Sequence, residues 1–291
     1  MTEHIRPTRN RREFVADAFC GFGALALASL EAQAAVKNPL APKPPHIPAK
    51  AKSVIFLFMA GGPSQVETFD PKPLLNKLNG QKRPAEFGEA KYQFVAPNAT
   101  LLGSKRTFQK YGKSGIDVSD LFPHMSSIVD EMAVLRGCHG DMVVHSAAQY
   151  QLMTGRILPG FPNMGSWVTY GLGSESESLP AYCVLPDPKG ALEAGQPMYM
   201  QGFLPAVYQP TMLRSGAKPV LNLDLPAGTT SSQRKETLDF LRSANEASMK
   251  PGDAEMEARI AAYDLAFRMQ TEAPEAFDIS KETDETKTLY G

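Results

Sequence analysis

The chain has 291 residues, with 30 Lys+Arg against 31 Asp+Glu, and a net charge of −1 gives no electrostatic reason to expect nucleic acid or an anionic membrane surface as partner. Hydrophobic and charged fractions of 43% and 21% are globular values that exclude wholesale disorder and collagen-like repeats, and the length suits one large domain or two small ones. Three cysteines, Cys20, Cys138 and Cys183, are too few for a disulfide framework or a cysteine-built zinc site, and no apolar run reaches the ~18 residues of a membrane span.

Residues 1–34 carry an export address. A twin arginine, Arg11-Arg12, precedes Glu13 and Phe14. The moderately apolar stretch FCGFGALALASL fills 19–30, and Ala32-Gln33-Ala34 offers a small-residue cleavage site. These parts make a bacterial signal peptide, and the paired arginines select the twin-arginine export machinery, hence a periplasmic or secreted location. An amphipathic N-terminal helix is the plainer alternative. Removing 1–34 takes four Arg and four acids, so the mature charge stays at −1. It also takes Cys20, leaving Cys138 and Cys183 either as a disulfide pair or as two buried free thiols.

Residues 35–52 form a Pro-rich leader, with five prolines between 36 and 51 excluding helix and paired strand. SVIFLFMA, at 53–60, is a continuous apolar run expected to form a strand buried on both faces of an α/β sheet. Gly61-Gly62-Pro63-Ser64 ends it, and the C-terminal end of a central strand is where α/β proteins place their chemistry. Gly62 permits close backbone approach to a substrate and Ser64 offers a hydroxyl; a plain turn is the competing reading. Asp70, in TFDPKP, either caps its own turn or serves as a metal ligand.

Within residues 116–136 a helix capped by Ser119 is expected, with Leu121, Met125, Ile128, Val129 and Met132 at helical spacing. A second buried strand is expected to start at 132–135. His124, alone on that helix, reads as a surface or packing residue.

The segment 136–156, RGCHGDMVVHSAAQYQLMTGR, brings His139, Asp141 and His145 within seven residues. Imidazole and carboxylate are the usual ligands of zinc and similar divalent ions, and the cluster follows a predicted core strand. The spacing H-x-D-x3-H matches no closed metal site, so a loop whose histidines cap backbone groups stays open beside metal and catalytic roles. The helix beginning at His145 or Ser146, ending at Gly155, would offer its N-terminal N–H groups and dipole to an anion. Ser146 is its candidate cap, and Arg156 adds either an anion contact or a salt bridge.

The remainder reads as scaffold. LPAYCVLP (179–186) and KPVLNLDLP (218–226) are expected to be short strands. The loop between them, with Met198, Tyr199, Met200, Phe203 and Tyr208, reads as a surface loop packed by its aromatics, with a substrate cleft as the alternative. Residues 231–249 and 253–270 are amphipathic helices joined across Lys250-Pro251-Gly252.

Several segments carry a resemblance: RREF in the leader, PLAPKPPH, VIFLFMAGGPSQVETFDPKP, HSAAQYQLMTGR, and AAYDLAFRMQTEAPEAFDIS at 261–280. On these the chain resembles the uncharacterised secreted bacterial family catalogued as domain of unknown function 1501. That family resembles the alkaline phosphatase/sulfatase superfamily. The resemblance implies an α/β fold, a mixed sheet sandwiched by helices, with a divalent metal ion (Zn, Ca or Mg) at the strand ends. His139, Asp141, His145 and Asp70 are then the candidate metal ligands. His145 and Asp141 are the candidate catalytic groups, and Gly62, Ser64, Ser146 and Arg156 the candidate substrate-binding residues.

The chain departs from the sulfatase pattern C/S-x-P-S-R-x-x-L-L-T-G-R. Setting Thr154-Gly155-Arg156 on T-G-R places His145 at the nucleophile and Ala147-Ala148-Gln149 on P-S-R. The formylglycine precursor is therefore absent, and Met59-Ala60 stands where related enzymes carry an acidic ligand after the first strand. The family is longer than this chain, and residues 146–291 hold no His, so residues 53–291 are expected to be the N-terminal part of such a domain. Two functions follow as expectations. One is an exported, metal-assisted hydrolase of an anionic ester, small or on a polysaccharide. The other is a non-catalytic degenerate member that binds glycan or envelope partners.

Overall fold

A computed structural model describes residues 38–88, 95–96, 98–187, 192–216, 218–221, 223–250 and 253–290; the expected signal at 1–34 lies outside them. The chain divides into two units interleaved in sequence. A hairpin unit comprises Lys50–Pro159 and Leu192–Met198. A helical unit comprises Met1–Ala49, Gly160–Ala191 and Tyr199–Gly291.

In the hairpin unit, the apolar run at 53–60 does not form the expected core strand. Residues 53–59 have no ladder partner, and Ile55 and Leu57 are each 84% exposed. A strand buried on both faces needs neighbours along both edges. The paired strands among the described residues lie elsewhere. Two short helices follow, α1 (Gln65–Thr68) and α2 (Pro73–Lys77), the second opened by its own proline.

Strands β1 (Phe108–Tyr111) and β2 (Ile116–Ser119) then make an antiparallel hairpin, Phe108 opposite Ser119 and Tyr111 opposite Ile116. Asp130 caps its turn, one carboxylate oxygen accepting from the Lys113 N–H and the other from the Ser114 N–H, both at 2.9 Å. Val118 and Val129 are fully buried, and Phe69 stacks on Phe122 at 5.4 Å.

The helix expected after Ser119 is therefore corrected. Ser119 ends β2, and Pro123 steers Phe122 away from helical backbone. Helical turn begins only as a tight 3-10 segment, Met125–Glu131. There the hydroxyls of Ser126 and Ser127 donate to the carbonyls of Pro123 and His124, bonds that compete with an α-helix. No strand follows at 132–135, and Leu135 is exposed. Helix α3 (His145–Thr154) follows in the same unit.

In the helical unit, α4 (Met164–Leu172) starts at Asn163, whose side chain accepts the Gly165 N–H at 2.8 Å. The end of the expected leader belongs to this core. Leu40 is buried, its carbonyl accepts the Ser174 N–H at 2.8 Å, and the Lys43 N–H donates to the Leu172 carbonyl at 2.9 Å. Of the strand expected at 179–186 only β3 (Cys183–Val184) forms. It pairs in parallel with β4 (Thr211–Met212), and the described residues of the second expected strand, 218–226, form none. Pro219 and Pro226 remove donors from that second run, and the Arg214 N–H donates to the Pro219 carbonyl, closing a loop there.

Tyr199 and Tyr208, in the loop expected to be packed by its aromatics, are buried, as is Met198 of the hairpin unit. Leu40, Leu204, Val207 and Tyr208 pack with Ala258, Ala261 and Leu265 of α6. The expected helix pair is present as α5 (Ser231–Ser248) and α6 (Ala254–Glu272), in mutual contact; residues 251–252 of its turn lie outside the described residues. A short α7 (Asp284–Tyr290) closes the description.

The class is thus mixed α and β, with two two-stranded sheets among the described residues in place of one large sheet. Cys138 and Cys183 are free and exposed, neither paired nor buried as expected.

Candidate functional site

Helix α3 and the loop before it hold most of the residues singled out by the sequence. Two bonds fix the helix within its unit. The buried Gln149 accepts the Ala194 N–H at 3.1 Å, and the Tyr150 hydroxyl donates to the Ala194 carbonyl at 2.7 Å. Gly155 ends the helix in left-handed backbone (φ 76°) and donates to the Gln151 carbonyl.

At the other end, Val144 occupies the capping position in extended backbone and has no side-chain group to bond. The expected cap, Ser146, is instead the second helical residue. The first intrahelical bond runs from the Ala148 N–H to the Val144 carbonyl. The first turn thus presents uncapped amides beside the exposed His145 and half-buried Ser146, the arrangement that receives an anion.

The loop folds back onto this helix through Gln151. Its side-chain oxygen accepts the Asp141 N–H at 2.9 Å, and its side-chain nitrogen donates to the Asp141 carboxylate at 2.7 Å. Asp141 is held by both ends of one amide, six residues beyond His145. Gln151, and Gln149 behind it, are positioning residues that the sequence reading passed over. Their signal was present in Gln149-Tyr150-Gln151, where two glutamines two positions apart project from different sides of one short helix.

The remaining candidates do not join this cluster. Arg156 follows α3 at its far end, and a ten-residue helix is about 15 Å long, so one small anion cannot touch both Arg156 and the first-turn amides. Gly61 and Gly62 both adopt left-handed backbone (φ 76° and 75°) as expected of that turn. Ser64 precedes α1, and its carbonyl accepts the Thr68 hydroxyl at 3.1 Å. Asp70 is paired with Lys72 at 2.6 Å, and its N–H donates to the Gln65 carbonyl.

The donor types of His139, Asp141, His145 and Asp70 suit zinc or a harder divalent ion. Among the described residues, however, no three His, Cys, Asp or Glu side chains converge to hold one. This geometry does not fit a preformed metal site. Among the same residues no helix is long and apolar enough to cross a membrane.

The profile of a family described as Protein of unknown function (DUF1501) matches residues 51–291. No curated protein and no solved structure matches the chain.

Proposed function

The chain belongs to this family of unknown function (DUF1501), and from that premise we propose an exported hydrolase of an anionic ester, phosphate or sulfate, on a small molecule or on a polysaccharide. The observation that carries the reading is the uncapped first turn of α3, with His145 at its first position and Asp141 tied to the same helix by Gln151. In this reading the ester's anionic oxygens lie against the first-turn amides and the Ser146 hydroxyl. A water attacks the phosphorus or sulfur and passes a proton to the His145 imidazole. The alkoxide leaves with a proton returned from the imidazolium. His145 as a covalent acceptor is the variant of this scheme, since it stands at the nucleophile position of the sulfatase pattern.

The alkaline phosphatase/sulfatase-like fold, twin-arginine export and a periplasmic or secreted location belong to the same proposal. They rest on the sequence segments quoted above. A divalent ion belongs to it only through the donor types of His139, Asp141, His145 and Asp70, and no step is routed through it.

The test is turnover of nitrophenyl phosphate and nitrophenyl sulfate by the chain and by His145→Ala, with far-UV circular dichroism as the folding control. Loss of a general base predicts a fall of about 100-fold or more. Unchanged turnover in a folded variant sinks the assignment. The second reading, a non-catalytic glycan or envelope-partner binder, is favoured by one observation: no three metal-type donors converge among the described residues.

A further inference from the structure

Helix α4 of the helical unit is inside out. It buries Ser166 and Thr169 and turns Met164, Trp167, Val168, Tyr170 and Leu172 to solvent, each between 41% and 46% exposed. The Ser166 hydroxyl is buried with no hydrogen-bond partner. A helix that had only to stabilise its own unit would bury the opposite face.

The aromatic part of the surface is continuous. Phe161 meets Phe203 edge-to-face at 6.1 Å, Phe203 meets Trp167 at 5.8 Å, Trp167 meets Tyr170 at 5.9 Å, and Tyr170 meets the buried Tyr208 at 5.3 Å. Phe203 is 63% exposed. It also borders a groove of about 500 Å³ against α6, lined with Gln209, Glu255, Arg259 and Tyr263.

A cation stands at each end of the strip. The Lys43 ammonium lies 5.2 Å from the Tyr170 ring centre and 5.9 Å from that of Tyr208. It donates to the Tyr170 carbonyl at 2.6 Å, which uses one of its three hydrogens. At the Phe203 end, Arg259 approaches Glu255 only to 4.0 Å, so its fork of donors is not consumed by that pair.

The size of the strip decides what covers it. At 150–250 Å² per aromatic side chain, the exposed fractions of Trp167, Tyr170 and Phe203 sum to roughly 300 Å², and to roughly 500 Å² with the aliphatic flank of α4. A stable protein interface needs about 800 Å² per partner. A sugar chain needs less. Its rings offer apolar C–H faces to aromatic side chains and a polar rim to groups such as Gln209. The flanking cations select a chain that carries acid groups.

We propose that Trp167, Tyr170 and Phe203 form the stacking platform of a binding site for an acidic oligosaccharide, uronate- or sulfate-bearing, with Lys43 and Arg259 receiving its acid groups. The inference deepens the polysaccharide element of the proposed function and is tested without turnover. Trp167 is the single tryptophan of the chain, so its fluorescence reads the site directly.

The full chain is titrated with a polygalacturonate hexasaccharide, a sulfated galactan hexasaccharide and uncharged cellohexaose. At least one acidic probe is expected to give a saturable change that weakens with added salt, with cellohexaose bound about tenfold more weakly or worse. Phe203→Ala, which removes an exposed side chain, and Arg259→Gln are each expected to weaken acidic binding about tenfold. Binding is read by fluorescence and not by turnover, so its failure and the failure of the ester chemistry at α3 are told apart. No saturable change with either acidic probe overturns the proposal, as does equal affinity for cellohexaose or unchanged affinity in Phe203→Ala. A fluorescence change that follows protein concentration, with dimers in sedimentation, assigns the strip to a second copy and overturns it too.

Discussion

Gln151 spends both ends of its amide on Asp141, and this fixes where the loop carboxylate stands relative to His145. Gln151→Leu keeps the helix-forming character of the position and removes both bonds. Faster hydrogen exchange at the Asp141 amide is expected, with a loss of about 1 kcal/mol in stability by denaturant unfolding. Unaltered exchange at Asp141 would show that the loop is held by something else. Asp130 is the second residue whose role is confined to a few atoms. The backbone N–H groups of Lys113 and Ser114 hold its carboxyl below the ordinary value of 3.8, with the Ser114 side chain adding to them. Because the folded value is the lower one, its contribution is fully present above 3.8. It is lost as the pH falls through the depressed folded value. Acid titration by NMR should therefore show the Lys113 and Ser114 amides shifting together, below the range of an ordinary aspartate. In Asp130→Asn that acid transition should be absent.

Among the elements, α5 has the clearest local cause. Thr230 and Gln233 form a reciprocal cap: the Thr230 hydroxyl oxygen accepts the Gln233 N–H at 3.2 Å, and the Gln233 side chain accepts the Thr230 N–H at 2.9 Å. Thr230→Ala should cost about 1 kcal/mol, read as a lower denaturant midpoint with unchanged slope. Helices of this kind were legible in the sequence because the information is local. The amphipathic period of 231–249, the run of good helix formers in 253–270, which forms its helix without the amphipathic face expected of it, and Gly155 after a run of good helix formers each name an element without reference to the rest. The β1–β2 hairpin was not read, although Tyr-Gly-Lys-Ser-Gly between Phe108 and Ile116 offered a turn. Helical spacing from Leu121 onward drew Ser119 into a helix it does not cap, and the weight of Pro123 was missed. For the site, the sequence placed His145 and Ser146 at the start of α3. It missed the Gln151 clamp, because that bond depends on how the Gly140 loop returns, and local pattern does not encode that return.

Across the molecule, apolar surface faces outward in both units. In the hairpin unit it is the run 53–59, unpaired and free of charge. Such a segment is a template for another strand, and it has the composition of aggregation-prone stretches. Replacing Ile55 and Leu57 together by Lys should leave the thermal midpoint within about 2 °C of the parent, since both side chains already face solvent. It should also reduce self-association measured by light scattering. A large fall in the midpoint would mean that the run is buried in solution. The strand reading from sequence was right about the character of these residues and wrong about their partners. Seven consecutive apolar residues, 54–60, announce a need for burial but do not say what meets it.

The order in which the chain is made constrains how this architecture is reached. The hairpin unit takes Leu192–Met198 from beyond residue 159, and Ala194 in that segment is where Gln149 and Tyr150 anchor α3. The helical unit takes Leu40 and Lys43 from near the start, and these wait for Leu172, Ser174 and Tyr208. On a ribosome adding about 5–20 residues per second, neither unit closes as its own stretch emerges. Each stays open until a later segment arrives, in the interval when chaperones and proteases sample nascent chains. The completed return of 192–198 is then the step that turns an open, cleavable chain into a closed one.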